Sequence, residues 1–277
     1  MESAKSNNAK AKVSGPEKSQ LVLHWSLTIV LGLVFAAELV LPQRWPLLDA
    51  ALIVLAAIVS VTALNRQMPL QNVLLAATIT AVLGGVAHGL SSDLRLGLAM
   101  PFGPLYFREA SGAKIFGFVP WTIPLLWVAA LFSARGTARV IVRPWRKLKS
   151  YGYWIIGLTA VLIVAFDFAL EPFAVRANAF WSWQTTKFAF TWYDASPLNF
   201  LGWGVVALLI LAFATPTLIK KQPGSRSAVD LNPLCLWLGG MTLFALGAAK
   251  ASLWPAVGAD AVMAIIVLVF AIRGARW

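Results

Sequence analysis

The stretch from Gly152 to Leu170, GYWIIGLTAVLIVAFDFAL, decides the fold. It holds one acid and no base, and as a helix rising 1.5 Å per residue it would reach about 28 Å, close to the apolar thickness of a bilayer. Comparable runs recur at 21–41, 46–64, 70–90, 116–134, 198–219, 233–251 and 253–272, and the charges gather in the short segments between them. Of the 277 residues 59% are hydrophobic and 12% charged, about half the charged share of a soluble domain, so the chain cannot cover itself with a polar surface. These features predict an all-α polytopic transmembrane helical bundle of about eight helices. Residues 1–20 are polar, carry Lys5, Lys10, Lys12 and Lys18, and read as a disordered basic cytoplasmic tail. A cleaved leader is not expected, because the following run is too long and contains Glu38. Residues 21–277 form one transmembrane domain.

An even number of spans puts both termini on the same side. Sixteen of the 23 basic residues then share that side, Arg66 and the Arg135–Lys149 cluster among them, against seven on the other. Positive charge marks the cytoplasmic face, so both termini are expected there, in a multi-pass protein of the cell membrane. The net charge of +12 follows this topology and fits contact with anionic membrane lipid; no nucleic-acid partner is implied. Cys235 is the single cysteine, which excludes an intrachain disulfide framework, a paired-cysteine metal site and a c-type haem attachment. His24 and His88 sit at opposite ends of their spans, with no metal-ligand spacing. Neither a phosphate-binding glycine loop nor a dinucleotide fingerprint occurs, so no metal and no cofactor is expected.

The acids are distributed unevenly. Glu2, Glu17 and Asp230 fall on the basic side, whereas Glu38, Asp49, Asp93, Glu109, Asp167, Glu171, Asp194 and Asp260 fall at or beyond the opposite half. Asp49, Asp93 and Asp194 read equally well as wet loop residues. Glu38, Asp167 and Asp260 interrupt apolar stretches, where a charge costs several kcal/mol unless paired or hydrated. Asp167 and Glu171 are four apart, on one helix face, where two neighbouring carboxyls keep a proton available for donation. The competing reading has Glu171, just before Pro172, marking the helix end in headgroup water.

Two further segments stand out. Phe180, Trp181, Trp183, Phe188, Phe190, Trp192, Tyr193, Phe200 and Trp203 crowd the connection after the fifth span and its junction with the sixth. Such residues ordinarily form an interfacial belt, yet here they adjoin the carboxyl pair, where aromatic faces stabilise a cation. In Met100–Glu109, Pro101, Gly103 and Pro104 fix a backbone path, while Tyr106 and Glu109 supply polar tips. Pro120 and Pro124 kink or delay the fourth helix, and the segment reads as re-entrant or cavity-lining. Gly85-x-x-x-Gly89 reads as close helix packing.

From Pro101 to Trp203 the sequence resembles the carotenoid biosynthesis membrane proteins that include gamma-carotene hydratase and bisanhydrobacterioruberin hydratase. The resemblance rests on Pro101-Phe102-Gly103 with Tyr106; Phe116-Gly117, Val119-Pro120, Pro124 and Trp127; Asp167-x-x-x-Glu171-Pro172; Trp181-x-Trp183; and Tyr193 followed by Asn199-Phe200-Leu201-Gly202-Trp203. It departs where the family carries a Glu before Pro-Phe-Gly, since the polar residues there are His88 and Asp93. It departs again in the stretch Tyr193-Asp194-Ala195-Ser196-Pro197.

The resemblance implies a cofactor-free enzyme that hydrates the terminal double bond of an acyclic carotenoid end group to a tertiary alcohol. It assigns Asp167 or Glu171 as acid or water-orienting base, with Glu38 and Glu109 as supporting carboxyls. Tyr106, Trp181, Trp183, Tyr193 and Trp203 would line the substrate cavity, and Asn199 would orient water or tie the loop to the sixth helix. Its partners would be membrane lipid, a lipid-soluble carotenoid and other carotenoid biosynthesis enzymes. Three alternatives stay open: an end-group cyclase, which starts with the same protonation; a small-solute transporter; and a non-catalytic carotenoid-binding subunit.

Overall fold

The computed structural model describes residues 15–41, 45–92, 98–184, 188–219 and 229–277. Most of the expected tail, together with Asp93 and the basic residues Arg44, Arg95, Lys187, Lys220, Lys221 and Arg226, lies outside them. The eight helices are α1 (Gly15–Val40), α2 (Pro46–Asn65), α3 (Leu70–Ser92), α4 (Ile123–Ile141), α5 (Tyr151–Pro172), α6 (Pro197–Ala214), α7 (Asn232–Lys250) and α8 (Trp254–Ala275). All but α4 are long and apolar enough throughout to cross a membrane. Helices α2, α4, α6, α7 and α8 each carry a proline at the first or second position, as α1 does with Pro16, where its missing N–H would find no intrahelical partner anyway.

Two boundaries differ from expectation. At Gly15, where the described residues start, the chain is already helical, within the segment expected to be tail. The fourth span, expected over 116–134, starts at Ile123. Its apolar lead-in is instead a small hairpin, in which β2 (Lys114–Ile115) pairs with β3 (Val119–Pro120). Phe116 and Gly117 take positive φ at its turn. Hydropathy cannot tell an apolar hairpin from the start of a helix; Pro120 and Pro124 delay the helix.

The α4 helix is the hub of the bundle, packing against α2, α3, α5, α7 and α8. That position explains its composition. Arg135 and Arg139 make it less lipid-like than its neighbours, and Arg135 is buried, donating from Nη2 to the Leu218 carbonyl at 3.2 Å. Trp127 of α4 is fully buried against Gly84 of α3, where a β-carbon would stand 2.4 Å from the Trp127 ring. Gly85 and Gly89 also face α4 and its lead-in, so the expected close packing is present, with Gly84 its tightest point.

At the acid-rich end two connections meet. Leu105–Phe107 (β1), between α3 and α4, pairs antiparallel with Trp181–Trp183 (β4), between α5 and α6, in the register Leu105↔Trp183 and Phe107↔Trp181. Strand alternation turns Leu105 and Phe107 inward and Tyr106 outward.

Candidate active site

Asp167 and Glu171 lie one turn apart near the end of α5, 0% and 1% exposed. The first turn of α6 brings Asn199 against them. Its Nδ2 stands 2.6 Å from Asp167 Oδ2 and 3.1 Å from Glu171 Oε1. An amide nitrogen carries two hydrogens, so Asn199 donates to both carboxyls at once. Glu171 Oε2 also accepts the indole N–H groups of Trp183 at 2.9 Å and Trp181 at 3.3 Å. Glu171 therefore receives three donors and Asp167 one. Asp167 Oδ1 and Asn199 Oδ1, both buried, have no partner among the described residues.

The strand pairing aims these indoles. Residues two apart on a strand share a face, so Trp181 and Trp183 point to α5 together while β1 holds their backbone. Phe107 meets Trp181 edge-on, with centroids 5.9 Å apart. Farther along the same connection, Trp192 stacks on Phe168 at 4.4 Å and donates its indole N–H to the Phe168 carbonyl. Arg176 and Asp194 close the loop with a 2.7 Å ion pair; both are half-exposed, so it adds little stability.

An aromatic cluster lies one turn along α6 from Asn199. There Trp203 stacks on Trp127 at 4.3 Å, and Phe102 and His88 close around the two rings. His88 Nδ1 lies 3.1 Å from the Gly84 carbonyl and 3.2 Å from Trp127 Nε1. One ring nitrogen cannot donate to the first and accept from the second together, so these bonds are alternatives set by tautomer. The sequence marks His88 as a residue without metal-ligand spacing and as one of the polar residues ahead of Pro101-Phe102-Gly103; its place on the glycine-rich face of α3 was the available signal for this packed position.

Beside the carboxyls lies an apolar cavity of about 320 Å³. Trp181, Leu170 and Phe173 are among its lining residues, whereas Asp167 and Glu171 are not. Trp181 thus has one face on the cavity and its N–H on Glu171, a partition between apolar space and acid.

Of the residues singled out in the sequence, the fold unites Asp167, Glu171, Asn199, Trp181 and Trp183, with Trp203 one turn along α6 from Asn199. It does not bring the others to them. Tyr106 is 55% exposed on the outer face of β1, with the Lys114 ammonium 5.6 Å from its ring centroid. Glu109 is exposed on a short 3-10 turn. Tyr193, at φ 48°, sits in a tight turn and packs edge-on against Trp192. Glu38 lines another cavity, of about 250 Å³, with Asn178 and Lys250; it shares Phe173 and Leu243 with the cavity beside Trp181. Asp260 is buried on the packed face of α8, and neither carboxyl oxygen has a partner among the described residues. No group of three His, Cys, Asp or Glu among those residues could hold a metal ion.

A family model described as carotenoid biosynthesis protein matches residues 48–271, a span that includes the whole carboxyl and indole cluster. No curated protein and no solved structure matches the chain.

Proposed function

The chain belongs to the carotenoid biosynthesis protein family, and from that premise we propose that it adds water across the terminal double bond of an acyclic carotenoid end group, yielding a tertiary alcohol. The observation carrying this proposal is the unequal supply of donors to two adjacent buried carboxyls. Two carboxylates in one dry pocket are too costly to leave both charged, so the pair carries one proton. Three N–H donors supply what an anion needs at Glu171, and the unpartnered Oδ1 of Asp167 is the place for the proton.

In the first step the Asp167 O–H bond breaks and a C–H bond forms at the less substituted alkene carbon, leaving a tertiary carbocation. The Trp181 and Trp183 ring faces and the carboxylates stabilise that cation. Water then attacks it, forming the C–O bond, and gives its surplus proton to Glu171. Proton exchange within the pair restores the starting state, so one alkene and one water are consumed. The substrate's reacting end approaches through the apolar cavity, whose wall at Trp181 adjoins the acid pair.

A second reading draws on the same geometry. Full burial of the pair also suits end-group cyclisation, which begins with the same protonation and requires that water be excluded. Expression in a bacterium that accumulates lycopene, with pigments analysed by mass spectrometry, separates them. Hydration gives a product heavier by one water, and cyclisation an isomer of unchanged mass. Asp167→Asn and Glu171→Gln are each expected to lower conversion about 10²-fold or more, the usual contribution of a general acid or base. Wild-type conversion by both variants sinks the assignment.

A further inference from the structure

The cavity beside Trp181 adjoins a second one. A chamber of about 380 Å³ shares Leu52, Ile53, Leu126, Leu243 and Phe244 with it. Along α7 the joint lining runs from Asn232 to Phe244, about 18 Å at 1.5 Å per residue. One wall of this inner chamber is α1, through Thr28, Leu31, Gly32 and Phe35; α7 faces it with Cys235, Leu236 and Gly239.

Two glycines on these walls differ in kind from the close-packing glycines elsewhere. At Gly32 and at Gly239 an added β-carbon would meet no atom within 4 Å, although at the neighbouring Gly240 it would lie 2.8 Å from the Phe166 ring. Gly240 lets a neighbour approach. Gly239, half-buried on α7, instead leaves space in the chamber, and Gly32, exposed on α1, leaves space at its open edge.

We infer that the two cavities form one groove for the body of a long linear polyene, with the reacting end at Trp181 and the unreacted remainder between α1 and α7. Gly32 and Gly239 keep the inner part open and so set the length of chain the groove accepts. The occupant's identity rests on the carotenoid reading above; its place rests on the five residues that the two cavities share and on Trp181 in the wall of the first. Phe35, Phe166 and Phe244 add aromatic faces along the path, which suit a conjugated chain better than a saturated lipid tail.

The test is retention rather than turnover. Protein purified from cells that accumulate an acyclic C40 polyene is assayed for bound pigment by absorbance. Gly32→Trp and Gly239→Trp are expected to hold about tenfold less than wild type. Gly157→Trp is the control, since Gly157 is exposed on α5 outside the groove and its β-carbon also meets nothing within 4 Å. It should hold the wild-type amount. The inference is overturned if both groove variants retain as much pigment as Gly157→Trp, or if the wild type retains none. A wild type that retains pigment yet never adds water refutes the proposed hydration and leaves the groove standing.

Discussion

Asn199 has two amide hydrogens, and both go to carboxyl oxygens of one neighbouring helix. That sharing fixes where the acids stand, while the two indoles make them unequal. The donor on Trp183 can be removed without removing its ring. Trp183→Phe deletes the 2.9 Å bond to Glu171 and keeps the aromatic face, and a hydrogen bond to a charged group contributes about 1.5–3 kcal/mol. Conversion is expected to fall roughly 10- to 100-fold with folded protein unchanged, measured as product per unit of purified enzyme. Undiminished conversion would show that the ring matters and the N–H does not.

Elements meet at the site only because their backbones approach closely. A β-carbon at Gly202 of α6 would stand 2.6 Å from the Pro101 carbonyl oxygen and 2.9 Å from the Phe102 ring. The β1 connection therefore lies directly on α6, a turn from Asn199. Gly202→Ala must push it away, and overpacking of this kind costs about 1–3 kcal/mol. The expected outcome is a lower thermal midpoint together with weaker conversion, since β1 supports the strand that aims Trp181 and Trp183. A variant with unaltered melting and activity would mean the connection has slack at this contact.

At the scale of the whole molecule, seven of the eight helices are long and apolar enough to cross a membrane, and if α4 crosses with them the described chain begins and ends on the side opposite the carboxyl cluster. Excess positive charge marks a cytoplasmic face, so we predict that this terminal end lies in the cytoplasm. With Cys235→Ser as background, a membrane-impermeant maleimide should label Ala113→Cys on intact cells and Lys149→Cys only after lysis. The reverse pattern would invert the orientation and bring the acids to the cytoplasmic face.

The sequence by itself determined the helices, their approximate ends and the pairing of Asp167 with Glu171. Apolar length and the spacing of four are local properties, written in neighbouring residues. Where those local signals were ambiguous they misled: Phe116 and Phe118 carry the hydropathy of a span but belong to the hairpin ahead of α4. Only the tertiary structure decided which polar groups meet the pair. Tyr106, Glu109, Tyr193 and Glu38 were candidates of equal standing by residue type, and strand alternation, turn geometry and helix position carry them elsewhere. Asn199 reaches Asp167 across 32 residues of chain, and Trp127 reaches His88 across 39. Contacts over such separations depend on how helices and loops pack together, which no periodicity within one segment records.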